Sequence, residues 1–87
     1  MQDKTQKLYR AISNVLCKVK NEKSIKYTNL CYENDIPPST FDDIINAKNK
    51  SSFINIAKVT KALGLTFEDF GKLLDEELGK DFTFIDL

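Results

Sequence analysis

The side chains best suited to binding chemistry lie together in the stretch Ser39–Lys50, which carries hydroxyl, carboxylate and ammonium groups. Hydroxyls both donate and accept hydrogen bonds, ionised carboxylates only accept them, and ammonium groups only donate them. The sequence contains no histidine and no glycine-rich phosphate loop, and its carboxylates have no paired basic or thiol group at a catalytic spacing. The pattern therefore indicates recognition by hydrogen bonding and charge, and it predicts no enzyme activity and no catalytic residue.

Cys17 and Cys31 are the two cysteines of the chain. Without histidine they cannot complete a mixed Cys/His zinc site, and two thiolates are too few for a four-cysteine site. A disulfide scaffold is not expected in a helical chain with a polar N-terminus and no secretion signal. We therefore expect reduced thiols in a cytoplasmic protein, with no metal, no cofactor and no small-molecule ligand. No apolar run reaches the roughly 18–20 residues of a membrane span, so no membrane partner is expected.

Length and composition predict one all-helical domain. The chain has 87 residues, 41% of them hydrophobic, with only three glycines and two prolines, which favours helices over a turn-rich β fold. The formal net charge is zero, so the chain as a whole has no electrostatic preference for nucleic acid. Lys and Arg outnumber Asp and Glu in residues 1–50, however, and the reverse holds in residues 51–87. The first half is therefore the better candidate for a negatively charged partner.

The first half of the chain predicts an amphipathic helix followed by a shorter one. The first helix is capped by Asp3 or Thr5, has apolar residues at spacings of three and four, and ends near Asn21. The second begins at Lys26 or Tyr27. It is short, so it must be held in place by its neighbours.

A sharp turn and a third helix follow. Asn34 and Asp35 tolerate the left-handed backbone conformation that such a turn requires. Pro38 is expected at the first position of the helix, where its missing N–H leaves no additional group unpaired. Phe41 and Ile44 supply the stripe that the helix buries, and the helix ends over the residues that follow.

The second half predicts two further helices with recognisable ends. Ser51 or Ser52 caps the fourth helix, and Gly64 suits the left-handed position just after its end. The stretch Thr66–Asp69 matches a capping box at the start of a fifth helix, which Gly79 closes.

Aromatic residues occur in two groups in this half. Phe53, Phe67 and Phe70 fall at helical spacing and are predicted to lie in the core. Phe82 and Phe84 alternate with polar residues, which predicts a short extended segment. Because two exposed phenylalanines are costly in water, we expect this segment to pack on the domain or on a second copy.

Taken together, these segments resemble the Xre or lambda-repressor-like helix-turn-helix family, five-helix DNA-binding domains of phage repressors and bacterial regulators. The family's second helix reads roughly L-S-Q-E-E-L-A, and here that place holds Ile25–Cys31, IKYTNLC. Its turn and recognition helix, roughly G-V-S-x-S-T-I-S-R-I-E-N-G-K, correspond to Asp35–Lys48, DIPPSTFDDIINAK. Its I-A-K-A-L-G-V-S phrase corresponds to Val59–Thr66, VTKALGLT. The register holds over about residues 7–72 without a gap.

The resemblance implies a compact all-α five-helix domain over residues 1–79, with the helix-turn-helix at helices 2 and 3. Residues 80–87 then form a short extended C-terminal tail. Several residues depart from the family pattern: Asp35 and Ala47 replace glycines, and Pro37 replaces a capping serine.

The resemblance also assigns contacts by position. Four residues would face base edges in the major groove: Pro38, Ser39, Thr40 and Asp43. Four would meet the sugar-phosphate backbone: Tyr27, Asn46, Lys48 and Lys50. Thr40 could touch a thymine methyl, and Asp43 could accept from cytosine N4. The alternative interpretation is that Ser39 and Thr40 are ordinary first-turn residues, that Asp42 and Asp43 are solvated charges, and that Tyr27 is an exposed aromatic.

The function that the resemblance implies is a sequence-specific transcriptional regulator of bacterial or phage type that binds double-stranded DNA. Its recognition helix would be about residues 38–47. A homodimer is expected, because two-fold pairing sets two recognition helices about 34 Å apart on one face of the duplex. The dimer contact is predicted at helix 5 and at Phe82, Phe84 and Leu87. The alternative is a helix-turn-helix fold used as a protein-interaction module without DNA binding.

Overall fold

Helices are the regular secondary structure of the chain in the computed structural model, which describes residues 4–48 and 51–84. In chain order they are α1 (Lys4–Glu22), α2 (Tyr27–Glu33), α3 (Pro38–Ile45), α4 (Phe53–Ala62) and α5 (Phe67–Leu78). The radius of gyration is 13.0 Å, close to the roughly 13 Å of a folded domain of 100 residues. The predicted all-helical class and the number of helices are confirmed. Within the described ranges, no helix combines the length and the apolar content needed to cross a bilayer.

Helix α1 makes the most extensive contacts between helices, and α3 and α5 pack against it. Its apolar residues recur at spacings of three and four, and Ile12, Leu16 and Val19 are all nearly inaccessible to solvent. This stripe contacts both α5 and α3, which places α1 in the middle of the fold. The helix ends at Glu22, one residue beyond the predicted end near Asn21.

The chain turns sharply between α2 and α3, as the sequence predicts. Asp35 has a φ of +55°, in the left-handed region that aspartate tolerates better than most residues. The Ile36 N–H donates to the Cys31 carbonyl at 3.0 Å, and both side chains are buried. Pro38 is the first residue of α3, as expected. Neither α2 nor α3 has a side-chain cap at its N-terminus, so packing must hold both in place.

Helices α4 and α5 begin at side-chain caps. The Ser52 hydroxyl accepts from the Asn55 N–H at 3.3 Å, so Ser52 rather than Ser51 caps α4. At α5 the Asp69 N–H donates to the Thr66 hydroxyl at 3.0 Å, and the Thr66 N–H donates back to the Asp69 carboxylate at 3.5 Å. The predicted capping box is therefore confirmed. It satisfies two of the N–H groups that every helix start leaves unpaired.

Two glycines end these helices in the left-handed region. Gly64, with φ +82°, follows α4, and Gly79, with φ +89°, follows α5. At Gly64 there is a second constraint, because a Cβ would lie 2.9 Å from the Lys23 Nζ. That ammonium donates to the Leu63 carbonyl at 2.7 Å and so caps the C-terminal end of α4 from the loop after α1. Both glycine assignments from the sequence are confirmed.

The core lies between α1 and the other four helices. Its most completely buried side chains are Leu16, Leu63, Val59 and Thr60. The Thr60 hydroxyl donates to the Ile56 carbonyl at 2.8 Å, so this buried polar group is satisfied within its own helix. Residues from every helix except α5 are fully buried in the core, and α5 contributes half-buried leucines and Phe70.

The prediction that Phe53, Phe67 and Phe70 lie together in the core is wrong for the first two. Phe53 is 72% exposed and Phe67 is 51% exposed, whereas Phe70 is half-buried against the core. Phe53 and Phe67 are the first residues of α4 and α5. Their rings lie 6.4 Å apart, and the Lys61 ammonium stands 4.4 Å from the centre of the Phe67 ring.

The tail turns back onto the domain, and no strand is assigned in it as far as Phe84. The Phe82 N–H donates to the Gly79 carbonyl at 3.1 Å, which closes a turn immediately after α5. The rings of Phe82 and Phe84 meet edge to face at 5.1 Å, and the Lys7 ammonium of α1 lies 5.6 Å from the centre of the Phe82 ring. The predicted extended segment therefore begins with a turn. The expected packing of the tail on the domain is present.

Candidate nucleic-acid interface

Helix α3 buries one face and presents the other to solvent. Phe41 and Ile44 are 3% and 2% exposed, which anchors the helix to the core. The four residues predicted to read bases are exposed or half-buried: Pro38, Ser39, Thr40 and Asp43. Phe41 and Ile44, the apolar stripe predicted from the sequence, are thus buried, and these four residues lie outside the core.

Two polar side chains of α1 hold the C-terminal end of α3. The Gln6 amide donates to the Ala47 carbonyl at 2.8 Å, and the Ser13 hydroxyl donates to the Ile45 carbonyl. The Ile45 carbonyl is one of those that a helix end leaves without partners, and Ala47 lies two residues beyond that end. Sequence reasoning missed this role. The available signal was that Gln6 and Ser13 lie seven residues apart, about two helical turns, so both are on one side of α1.

The backbone just after α3 folds back through Ala47, which has a φ of +57° and is buried. Its N–H donates to the Ile44 carbonyl at 3.1 Å, and the N–H of Lys48 donates to the Asp43 carbonyl at 2.9 Å. The Asn46 N–H donates to the Asp42 carbonyl at 2.9 Å. Ala47 therefore adopts a conformation that glycine favours, and the turn brings Lys48 back beside Asp43.

At this turn, two of the side chains that were predicted to contact DNA instead bind groups of α3 itself. The Lys48 ammonium lies 3.5 Å from the Asp43 carboxylate, with side chains that are 52% and 29% exposed. The Asn46 side-chain amide donates to the Asp42 carbonyl at 2.8 Å. Three of the predicted contact residues are therefore brought together: Asp43, Asn46 and Lys48.

Three of the residues predicted to contact DNA or a second copy lie wholly or partly outside the described part of the structure. Tyr27 begins α2, but its side chain lies outside the described part of the structure. Lys50 and Leu87 also fall outside the described residues.

An open apolar groove, here called the turn groove, lies beside the turn between α2 and α3. It has a volume of about 520 Å³ and is lined by Thr28, Cys31, Tyr32, Asp35, Ile36, Pro37 and Pro38. Tyr32 is 91% exposed at its edge. Burial raises the pKa of the Cys31 thiol, and the negative charge of Asp42 raises it further. The thiol is therefore protonated at neutral pH and serves as a small apolar packing group rather than a nucleophile.

A second apolar region lies between α1, α4, α5 and the tail. A groove of about 400 Å³ is lined mainly by Leu8, Ile12, Phe53, Ile56, Phe70, Leu74 and Phe84. Phe84 is 56% exposed at its edge. Together with Phe53 and Phe67 it forms a set of three exposed rings, called here the aromatic face. Of the predicted dimer residues, Phe84 belongs to this face, whereas Phe82 is half-buried.

The described residues contain no group of three or more His, Cys, Asp and Glu side chains that could hold a metal ion. Cys17 and Cys31 are both free thiols. The chemistry available on the surface of α3 is thus that of hydroxyl, amide, carboxylate and ammonium groups.

Comparisons with protein-family models, with curated proteins and with solved structures find no match to this chain.

Proposed function

We propose that the chain is a sequence-specific DNA-binding transcriptional regulator of the lambda-repressor-like kind. The observation that carries the proposal is the presentation of α3. Phe41 and Ile44 hold one face of the helix in the core, while Pro38, Ser39, Thr40 and Asp43 stay outside it. A helix of this kind can enter the major groove, where hydroxyl and carboxylate groups reach base edges.

The rigidity of α3 supports the same proposal. Base readout requires a helix whose position is fixed before it meets the duplex, because ordering it afterwards would cost affinity. Gln6 and Ser13 fix its C-terminal end from α1, and the Ile36–Cys31 hydrogen bond fixes the turn before it. Lys48, with Tyr27, Asn46 and Lys50, is proposed to meet the sugar-phosphate backbone and so to set the register of α3 on the duplex.

The regulator is proposed to act as a homodimer that pairs through the aromatic face and α5. Phe53, Phe67 and Phe84 expose apolar rings whose burial by a second copy would be favourable. Two-fold pairing would then present two copies of α3 to successive major grooves, about 34 Å apart. The proposal retains Phe84 and Leu87 as dimer residues, and it adds Phe53 and Phe67.

The test of DNA binding is selection of random duplexes by the purified protein, followed by titration of the selected duplex over a series of salt concentrations. Binding should weaken with a log–log slope of about −0.9 per neutralised phosphate, which gives about −4 to −6 for a dimer with roughly five or six phosphate contacts. Lys48→Ala should make the slope shallower, while Lys58→Ala, at an exposed lysine of α4, should leave it unchanged. Failure to bind any duplex at low salt would refute the proposal.

The test of the dimer is the mass in solution as a function of concentration. Phe53→Ser and deletion of residues 80–87 should each shift the equilibrium toward monomer. Tyr32→Ser is the matched control, because Tyr32 is an aromatic residue that is 91% exposed outside the aromatic face. An unchanged monomer–dimer ratio in both variants would exclude this face as the interface.

A second candidate function is a helix-turn-helix fold that binds another protein and not DNA. The observation in its favour is the turn groove, an apolar surface with the exposed Tyr32 at its edge and Asp35 in its lining. Asp42 and Asp43 would repel phosphate on the same side of the molecule. This candidate predicts no duplex binding at any salt concentration, so the selection experiment separates the two.

A further inference from the structure

The ion pair between Asp43 and Lys48 joins two residues to which the proposed function gives different tasks. Asp43 would face a base edge, and Lys48 would meet a phosphate. In the chain alone, the Lys48 ammonium lies 3.5 Å from the Asp43 carboxylate. The carboxylate and the ammonium are therefore already paired with each other. This ion pair must break before Asp43 can contact a base and Lys48 can contact a phosphate.

The backbone conformation places Asp43 and Lys48 side by side, so their pairing does not depend on a chance meeting of two surface side chains. The left-handed conformation of Ala47 turns the chain, and the Lys48 N–H donates to the Asp43 carbonyl at 2.9 Å. Ala47 is itself buried, and its carbonyl accepts from Gln6 of α1. The side chains of Asp43 and Lys48 thus leave a fixed turn side by side.

The two exchanges are linked by charge. If Lys48 moves to a phosphate, the carboxylate of Asp43 loses its cation in a strongly negative environment. It then needs a hydrogen-bond donor from the base in front of it. Cytosine offers its N4 amino group. Adenine also offers an amino group, N6, but places the acceptor N7 beside it, which would repel a carboxylate. Guanine offers only the acceptors O6 and N7, and thymine offers an acceptor and a methyl group. A carboxylate facing guanine or thymine would therefore keep its lysine.

We infer that the Asp43–Lys48 ion pair makes the phosphate contact of Lys48 conditional on a cytosine opposite Asp43. With cytosine present, the carboxylate accepts from N4 and releases the ammonium to a phosphate. With guanine or thymine, the ion pair persists and one phosphate contact is lost. This inference rests on the proposed function. It assigns Asp43 the role of a specificity-determining residue that acts both on a base and through Lys48.

The consequence that distinguishes this arrangement is a salt dependence that varies with the base. Each neutralised phosphate contributes about −0.9 to the log–log slope. The slope should therefore be steeper on the cytosine duplex by about 0.9 per protomer than on the same duplex with guanine at that position. A residue that only reads a base would change the affinity and leave the slope alone.

The experiment begins with random-duplex selection by the wild type and by Asp43→Ala. The position at which cytosine is enriched by the wild type, and not by the variant, is the one that faces Asp43. Salt titrations then compare duplexes with cytosine and guanine at that position. Asp43→Ala should give the same slope on both duplexes and should bind the guanine duplex more tightly than the wild type does, by roughly fivefold.

Lys48→Gln completes the test. This variant should keep a preference for cytosine, because Asp43 still accepts from N4. Its log–log salt slope on both duplexes should equal the shallower slope that the wild type shows on the guanine duplex. The double variant should show that the two single effects are not additive on the cytosine duplex. Asp42→Ala is the matched control, since it removes the adjacent carboxylate. It should leave the difference in slope between the duplexes as it is in the wild type.

The outcomes separate the two proposals. If the wild type selects no duplex, the proposed function fails. If the wild type selects a sequence, but its slope is the same on both duplexes and Asp43→Ala preserves the cytosine preference, then DNA binding stands and the ion-pair inference is overturned. Thermal unfolding of each variant checks that it is folded, and Asp43→Asn, which keeps the shape of the side chain, replaces Asp43→Ala if that variant does not fold.

Discussion

The α2–α3 pair and the aromatic face are stabilised in opposite ways. Helices α2 and α3 are seven and eight residues long and have no side-chain cap at their N-termini, yet contacts from α1 hold α3 firmly. Helices α4 and α5 start at full side-chain caps, yet their first residues, Phe53 and Phe67, stand in solvent. Local signals therefore fix where a helix begins, whereas burial depends on which elements reach it.

The sharpest way to break this comparison is to truncate one phenylalanine in each region. Phe41→Ala removes a ring that is 3% exposed and should cost about 3–5 kcal/mol of unfolding free energy. That is a large share of the roughly 5–15 kcal/mol available to a small domain. Phe53→Ala removes the same group at a site that is 72% exposed and should change stability by about 0.5 kcal/mol or less in the monomer. Urea denaturation of both variants measures the difference. Equal losses of unfolding free energy would contradict the conclusion that the two regions differ in burial.

A smaller effect tests the attachment of α3 to α1. Ser13→Ala removes the donor to the Ile45 carbonyl and should cost about 1–3 kcal/mol, because Ser13 is buried and the carbonyl is left without that partner. Hydrogen exchange should quicken in α3 more than in α4. Exchange that quickens equally in both helices would mean that Ser13 supports the whole fold and does not specifically hold α3.

The smallest effect concerns the capped region. Thr66→Ala removes one half of the capping box and should cost about 1 kcal/mol. The loss should appear in α5, because the hydroxyl serves only the first turn of that helix. Thr66→Ser retains the hydroxyl and is the control in thermal unfolding. A Ser variant as unstable as the Ala variant would show that the methyl group, and not the cap, is responsible.

The helix boundaries could be predicted because their causes are local. Pro38, Gly64, Gly79 and the Thr66–Asp69 capping box each act within a few residues, so the sequence is enough to place them. The core stripes of α1 and α3 follow from helical periodicity for the same reason. Periodicity was misleading at Phe53 and Phe67, which continue the apolar spacing but are 72% and 51% exposed.

The contacts around the candidate interface could not be predicted in the same way. The hydrogen bonds from Gln6 and Ser13 join residues 41 and 32 positions apart in the chain. The spacing of Gln6 and Ser13 shows that they share one side of α1, but no pattern in a single sequence identifies the carbonyls that they bind. The Asp43–Lys48 ion pair depends on a left-handed residue at Ala47, a conformation that alanine rarely adopts. From the sequence, Asp43 was expected to face a base or to be a solvated charge, and Lys48 was expected to meet a phosphate.

The central position of α1 also has a consequence for the order in which the chain folds. The bonds from α1 reach Ser51 and Glu77, 42 and 63 positions away, so a helical protein here closes long loops, and such closure slows folding. During synthesis, α1 emerges well before α5, and the side of its stripe that α5 covers stays bare until then. Chaperones that bind exposed apolar helix surfaces would therefore meet the stripe of α1 before they meet α5.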